Sequence, residues 1–203
     1  MSLIARYLAL TSLLGAVAAA GCQAPPVESA VKSMTPEYDV NGRLSRLLYD
    51  RDHDGTVETW GYMSGTRVIR VEVDENGDGK VDRWEFHHEA GAGAAAGAPA
   101  VPDSPAGADK TIERIERATR FDGRITRREF FDAGALTRLE EDTNADGVVD
   151  KWETYKNGSL ESMALDTSNR GTPDRRLIYR NDGAFDHLEV DDSGSGVFVA
   201  VTR

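Results

Sequence analysis

Apolar residues recur along this chain in pairs three positions apart: Leu44/Leu47, Val68/Val71, Ile112/Ile115, Leu136/Leu139, Leu160/Met163 and, last, Phe185/Leu188. The step between pairs is 24 residues (44 to 68, 112 to 136, 136 to 160), with a gap before Ile112 and one extra residue before Phe185. Aromatics keep the same interval, Trp60 to Trp84, with Trp152 and the neighbouring Tyr62, Phe86, Tyr155 and Tyr179 in equivalent places. Between the aromatic and aliphatic segments lie turn signals: Ser64-Gly65, Ala133-Gly134, Lys156-Asn157-Gly158 and Asn181-Asp182-Gly183. Asn-Gly between short apolar segments marks a hairpin and would break a helix. Thr66 to Val73 is rich in β-branched residues, as strands prefer. Leu136/Leu139 has helical spacing, which leaves room for a local helical turn. The prediction is an all-β chain, an elongated antiparallel meander of hairpins of about 24 residues, each too small to stand alone.

The hairpins alternate with acidic loops, and two of these are nearly the same. Asp74 to Glu85 reads D-E-N-G-D-G-K-V-D-R-W-E, and Asp142 to Glu153 reads D-T-N-A-D-G-V-V-D-K-W-E. Both place oxygen donors at positions 1, 3, 5 and 9, Gly at 6 and Glu at 12, the ligand spacing of an EF-hand calcium loop. Calcium takes six to eight hard oxygen ligands, so a run of alternating carboxylates and amides suits it better than it suits magnesium. The expected ligands are Asp74, Asn76, Asp78, the Lys80 carbonyl, Asp82 and Glu85 in one loop. In the other they are Asp142, Asn144, Asp146, the Val148 carbonyl, Asp150 and Glu153. A third loop keeps Asp50, Asp52, Asp54, Thr56 and Glu58 but has Gly61 at position 12. Three further loops, around Asp122-Gly123, from Asp166 and from Asp191, are degenerate; the Asp166 loop carries Arg170 at position 5. Acidic turns also form without metal, because Asp, Asn and Gly favour turns by themselves.

Charge and the chain start narrow the setting. The net charge is −11, which argues against binding nucleic acid or anionic lipid through a basic patch. Residues 1–21 hold Arg6 and then an apolar run from Tyr7 to Ala20, the pattern of an export signal. Ala19-Ala20-Gly21-Cys22 resembles a bacterial lipobox, which implies lipidation of Cys22 and a membrane anchor. Cys22 is the only cysteine, so no disulfide can form within the chain and bound metal becomes a source of stability. Residues 22–36 read as a tether, 37–89 as a first repeat block, 90–110 as an Ala/Gly/Pro linker or insert, and 111–203 as a second block.

The D-x-D-x-D-G-x-x-D loops between strand-like segments, over residues 38–89 and 111–203, resemble those of exported bacterial repeat proteins. They also resemble thrombospondin type-3 repeats, although the cysteines of those repeats are missing. The resemblance implies calcium held structurally, without EF-hand helices. The expected function is that of a calcium-binding, lipid-anchored repeat protein of the bacterial outer membrane or periplasm, with a structural or binding role. One alternative is a calcium sensor built from helical EF-hands, although 24 residues leave little room for a loop and two helices. Another is a carbohydrate-binding or carbohydrate-active protein using the tryptophans. No G-x-S-x-G, H-E-x-x-H or P-loop occurs, and adjacent His87 and His88 would face opposite sides of a strand, so the expectation is a protein without enzymatic activity.

Overall fold

The computed structural model describes residues 33–88 and 111–201. The export segment 1–21, Cys22, most of the tether and the stretch 90–110 lie outside the described residues. Every regular element among those described is a strand: β1 (Met34–Tyr38), β2 (Leu44–Tyr49), β3 (Thr59–Ser64), β4 (Arg67–Val73), β5 (Arg83–His87), β6 (Ile112–Arg117) and β7 (Arg127–Asp132). The series continues with β8 (Ala135–Glu141), β9 (Lys151–Lys156), β10 (Ser159–Leu165), β11 (Arg175–Tyr179), β12 (Phe185–Val190) and β13 (Val199–Ala200). All 13 lie in one antiparallel sheet in sequence order, an open meander of hairpins. Strands, not helices, flank each acidic loop, which excludes EF-hand helices there. The strand β1 begins at Met34, inside the stretch read as tether.

The two ends of the strands carry different connections. At one edge of the sheet, Asn157 (φ 52°) and Gly158 (φ 79°) form a two-residue turn closed by the Lys156–Ser159 pair. Both φ values are positive, as a type I′ hairpin turn requires. The β11–β12 connection holds the extra residue, and Arg180 N–H donates to the Ala184 carbonyl across it (2.9 Å). The β5–β6 pair runs from Arg83/Arg117 to His87/Ile112, and His88 N–H donates to the Thr111 carbonyl (2.8 Å). The 90–110 stretch therefore stands where other hairpins have a short turn, and the sheet is continuous across it. All the acidic loops lie at the opposite edge.

The i,i+3 aliphatic pairs owe their spacing to a bulge rather than to a helical turn. In β8, Leu136 pairs with Phe131 and Arg138 with Phe130, so Thr137 is the extra residue. The same shift falls at Ser45, Ile69, Glu113, Glu161 and Asp186. One extra residue reverses the alternation of faces, so both members of each pair reach the same face.

That face holds the core. One row of cross-strand partners reads Gly61, Val71, Glu85, Ile115, Glu129, Leu139, Glu153, Met163 and Leu177. Ile115 and Leu139 are wholly buried (0 %), and Ile112, Ile115 and Phe131 cluster with Leu136 against them. The glutamates between them are buried as well, each beside a basic residue two positions earlier on its strand. On the opposite face, Arg70 stacks over Tyr62, Arg114 over Phe86 and Arg138 over Phe130, at 4.0–4.2 Å from the ring centres. Such cation–π pairs add about 0.5–1 kcal/mol each at exposed sites. Among the described residues only seven apolar side chains are buried, a thin core for a sheet of this width.

Candidate metal centres

Each loop at the acidic edge starts where a second strand ends; its tenth residue begins the next strand, except in the last loop, where β13 begins at the ninth, Val199. Within it the backbone passes twice through left-handed φ, at positions 4 and 6: His53 and Gly55, Gly77 and Gly79, Phe121 and Gly123, Ala145 and Gly147, Asn169 and Gly171, Gly194 and Gly196. The loops that the sequence grades as complete and as degenerate thus share one conformation. Gly at position 6 meets φ values of 78–95° without a Cβ penalty.

The first carboxylate organises that turn. Asp74 Oδ1 accepts from Gly77 N–H (2.7 Å), and its Oδ2 from Gly79 N–H (2.7 Å). Asp142 repeats this with Ala145 (2.6 Å) and Gly147 (2.8 Å), and Asp50 with His53 (2.6 Å) and Gly55 (3.0 Å). Position 3 accepts from the N–H at position 5, as Asp78 N–H donates to Asn76 Oδ1 and Asp146 N–H to Asn144 Oδ1. Position 5 accepts from position 7: Thr56, Lys80 and Val148 donate their N–H to Asp54, Asp78 and Asp146. Position 9 accepts from position 2, shown by Arg51 to Glu58, Glu75 to Asp82 and Thr143 to Asp150. Positions 1, 3, 5 and 9 are therefore fixed by backbone donors.

Among the described residues the loop acids gather as a group of three or more in the Asp50 loop, and not in the Asp74 or Asp142 loops. Asp50, Asp52, Asp54 and Glu58 each place one carboxylate oxygen within 4.8 Å of the others, a group able to hold a metal ion. In the Asp74 loop the buried carboxylates are Asp74 (0 % exposed) and Asp82 (1 %). Asp82 Oδ1 is buried without a hydrogen-bond partner. Burial and the charges of Asp74 and Asp78 push the Asp82 carboxyl above its ordinary range, against hydrogen bonds that lower it. A divalent cation would supply the missing partner and offset the repulsion.

Position 12 serves the sheet face. Glu85 lies 3.2 Å from Arg83 Nη1, and Glu153 lies 2.8 Å from Lys151 Nζ and accepts from the Tyr155 hydroxyl. Burial opposes ionisation of Glu153, but Lys151 and Tyr155 outweigh it and its carboxyl stays below the usual range. Burial, then the Glu153 charge, raises the Tyr155 hydroxyl to about 12. The fourth acid gathered in the Asp50 loop is accordingly position 9, Glu58, and that loop has Gly61 at position 12.

The degenerate loops keep the turn with other chemistry. Around Asp122, Ala118 and Thr126 replace the acids at positions 1 and 9, and the hydroxyls of Thr119 and Thr126 pair at 2.7 Å. In the Asp166 loop both acids remain, with Arg170 between them. Burial would raise Asp174, but hydrogen bonds from Ser168 and Thr167 and the Arg175 charge bring it to about 2. A cleft of about 210 Å³ opens between this loop and the previous one, lined by Asp146, Val148, Asp150, Asp166, Asn169, Arg170 and Gly171. No family model and no curated protein matches the chain.

Sequence reasoning missed the basic residue at position 10 that pairs with the glutamate at 12. Its signal was present as R-x-E or K-x-E at Arg83/Glu85, Arg127/Glu129 and Lys151/Glu153.

Proposed function

We propose that this protein is a calcium-binding repeat module of the bacterial cell envelope, lipid-anchored through Cys22, with a structural or binding role. One observation carries the reading: loops of one conformation recur at one sheet edge, and in the Asp50 loop four carboxylate oxygens gather within 4.8 Å. The unpartnered Asp82 Oδ1 and the thin core support it, because a sheet with few buried apolar side chains gains from cations that tie its loops. Calcium is the cation of choice for a flexible, all-oxygen set of this kind. The ligands are Asp50, Asp52, Asp54 and Glu58; Asp74, Asn76, Asp78 and Asp82; and Asp142, Asn144, Asp146 and Asp150, with the carbonyls of Thr56, Lys80 and Val148 in reach of the same centres by sequence position. Export and anchoring rest on Arg6, the apolar run and Ala19-Ala20-Gly21-Cys22.

Calorimetric titration with calcium, paired with melting in chelator and in millimolar calcium, tests the reading. The expected result is saturable binding of two or three ions and a higher melting temperature. At ten times its Kd each independent site adds about 1.4 kcal/mol. Identical melts with and without calcium would overturn it.

A further inference from the structure

The Asp166 loop departs from the other acidic loops in the charge at position 5. It has the same backbone as the acidic loops, with Asn169 at φ 53° and Gly171 at φ 79°, and Gly171 N–H donates to Asp166 Oδ2 (2.6 Å). It keeps two buried carboxylates, Asp166 and Asp174, at positions 1 and 9. At position 5, where Asp54, Asp78 and Asp146 stand elsewhere, it has a cation. Two buried acids in one loop repel each other, and losing the position-5 acid weakens any metal site.

The guanidinium of Arg170 lies against two of the positions that would ligate a metal, 3 and 9. Its Nε donates to Ser168 Oγ, position 3, at 2.8 Å. Its Nη2 is 3.8 Å from Asp174 Oδ2, position 9. The same Nη2 donates to the Asp191 carbonyl (3.5 Å), the first residue of the next loop. A Cβ placed on Gly194, at φ 72°, would come within 2.9 Å of Arg170 Nη1, so the group runs close over that next loop's backbone. Arg175 also reaches Asp174, at 3.8 Å from Oδ1, but its nearer carboxylate is Asp192 at 2.9 Å, outside the ligand positions. The Asp122 loop offers the contrast. It has no metal-binding acids at 1 and 9, and there a neutral Thr119–Thr126 pair closes the turn.

We propose that Arg170 is a resident cation: its guanidinium takes the place of calcium in the Asp166 loop and pins that loop to the Asp191 loop. This rests on the calcium reading of the other acidic loops. The repeat array then has two ways of neutralising the same acidic turn, an exchangeable ion in the Asp50, Asp74 and Asp142 loops and a covalently attached one in the Asp166 loop. Calcium removal loosens the first kind and leaves the second closed.

Counting bound calcium on the full chain by equilibrium dialysis, for wild type and Arg170→Asp, tests this. The substitution gives the loop Asp, Ser, Asp and Asp at positions 1, 3, 5 and 9, and the expected result is one more ion per chain than wild type. If wild type binds calcium and Arg170→Asp binds the same number, the assignment of Arg170 falls while the metal reading stands. If wild type binds none, the metal reading falls, and this proposal with it. Arg170→Gln gives a second arm that needs no new site. Its melting temperature in chelator is expected to drop by about 2–4 °C and calcium is expected to leave that difference in place. Melting identical to wild type in chelator would overturn the resident-cation role.

Discussion

A single carboxylate oxygen shows how finely these loops are set. Asp82 Oδ1 has no partner, and its carboxyl is pushed up by burial and by Asp74 and Asp78. Asp82→Asn removes that charge at constant size. In chelator the variant is expected to melt at or above the wild-type temperature, and in calcium to lose most of the wild-type gain; paired thermal melts check both. The opposite sign holds for Asp166, Asp174 and Asp191. At Asp166 burial opposes ionisation and backbone N–H donors overcome it, whereas at Asp191 the Ser193 hydroxyl leads. Their folded-state pKa values lie below the ordinary 3.8, and Asp174 reaches about 2. The stability they contribute is present above that ordinary value and is lost as pH falls toward 2. Calcium-free denaturation series between pH 6 and 2 should show that decline. Ala145 is a different matter. It holds φ 61°, where its twin loop has Gly77, and a non-glycine residue there costs about 1–2 kcal/mol. Ala145→Gly is expected to stabilise the chain by about 1 kcal/mol, measured by urea unfolding.

At the level of the element, the 24-residue step exposes the hairpin because turn glycines, strand aromatics and aliphatic pairs all share it. The bulge was hidden in the same pattern. Leu136 and Leu139 look helical because three residues separate them, and only the pairing with Phe131 and Phe130 shows Thr137 to be surplus. The turn of the loops was legible for the same reason that it is repeated: Asp at 1 and Gly at 6 dictate it. Which loop gathers its acids was not legible, because the four that meet are in the Asp50 loop, which lacks a Glu at position 12. The partners of Glu85 and Glu153 were not, because position 12 has a meaning in helical EF-hands that a strand replaces with a neighbour two residues away, Arg83 or Lys151. The insert at 90–110 belongs to this scale as well. His88 and Thr111 already close the β5–β6 pair, so replacing residues 89–110 by Asn-Gly should leave the circular dichroism spectrum and the calcium stoichiometry unchanged. A shorter connection also carries a smaller closure entropy.

For the molecule as a whole, stability is spread along a sheet with a core at its centre and little apolar mass elsewhere. Leu139, wholly buried between Glu129 and Glu153, shares the central row of the sheet with the equally buried Ile115. Leu139→Ala should cost about 2–5 kcal/mol in denaturant unfolding. The two outermost strands are blunted in different ways, β1 by Pro36, which cannot donate to a further strand, and β13 by its length of two residues. Placing every acidic loop at the same end of the strands has an electrostatic consequence. Loops recur at every second strand, and strands lie about 4.8 Å apart, so neighbouring centres fall about 10 Å from one another. The Debye length in 0.1 M salt is also about 10 Å. The carboxylates along this row of loops sense one another in dilute buffer and are screened in concentrated salt, so the row behaves as a short linear polyelectrolyte, and any cation it took up would be held less tightly as ionic strength rises.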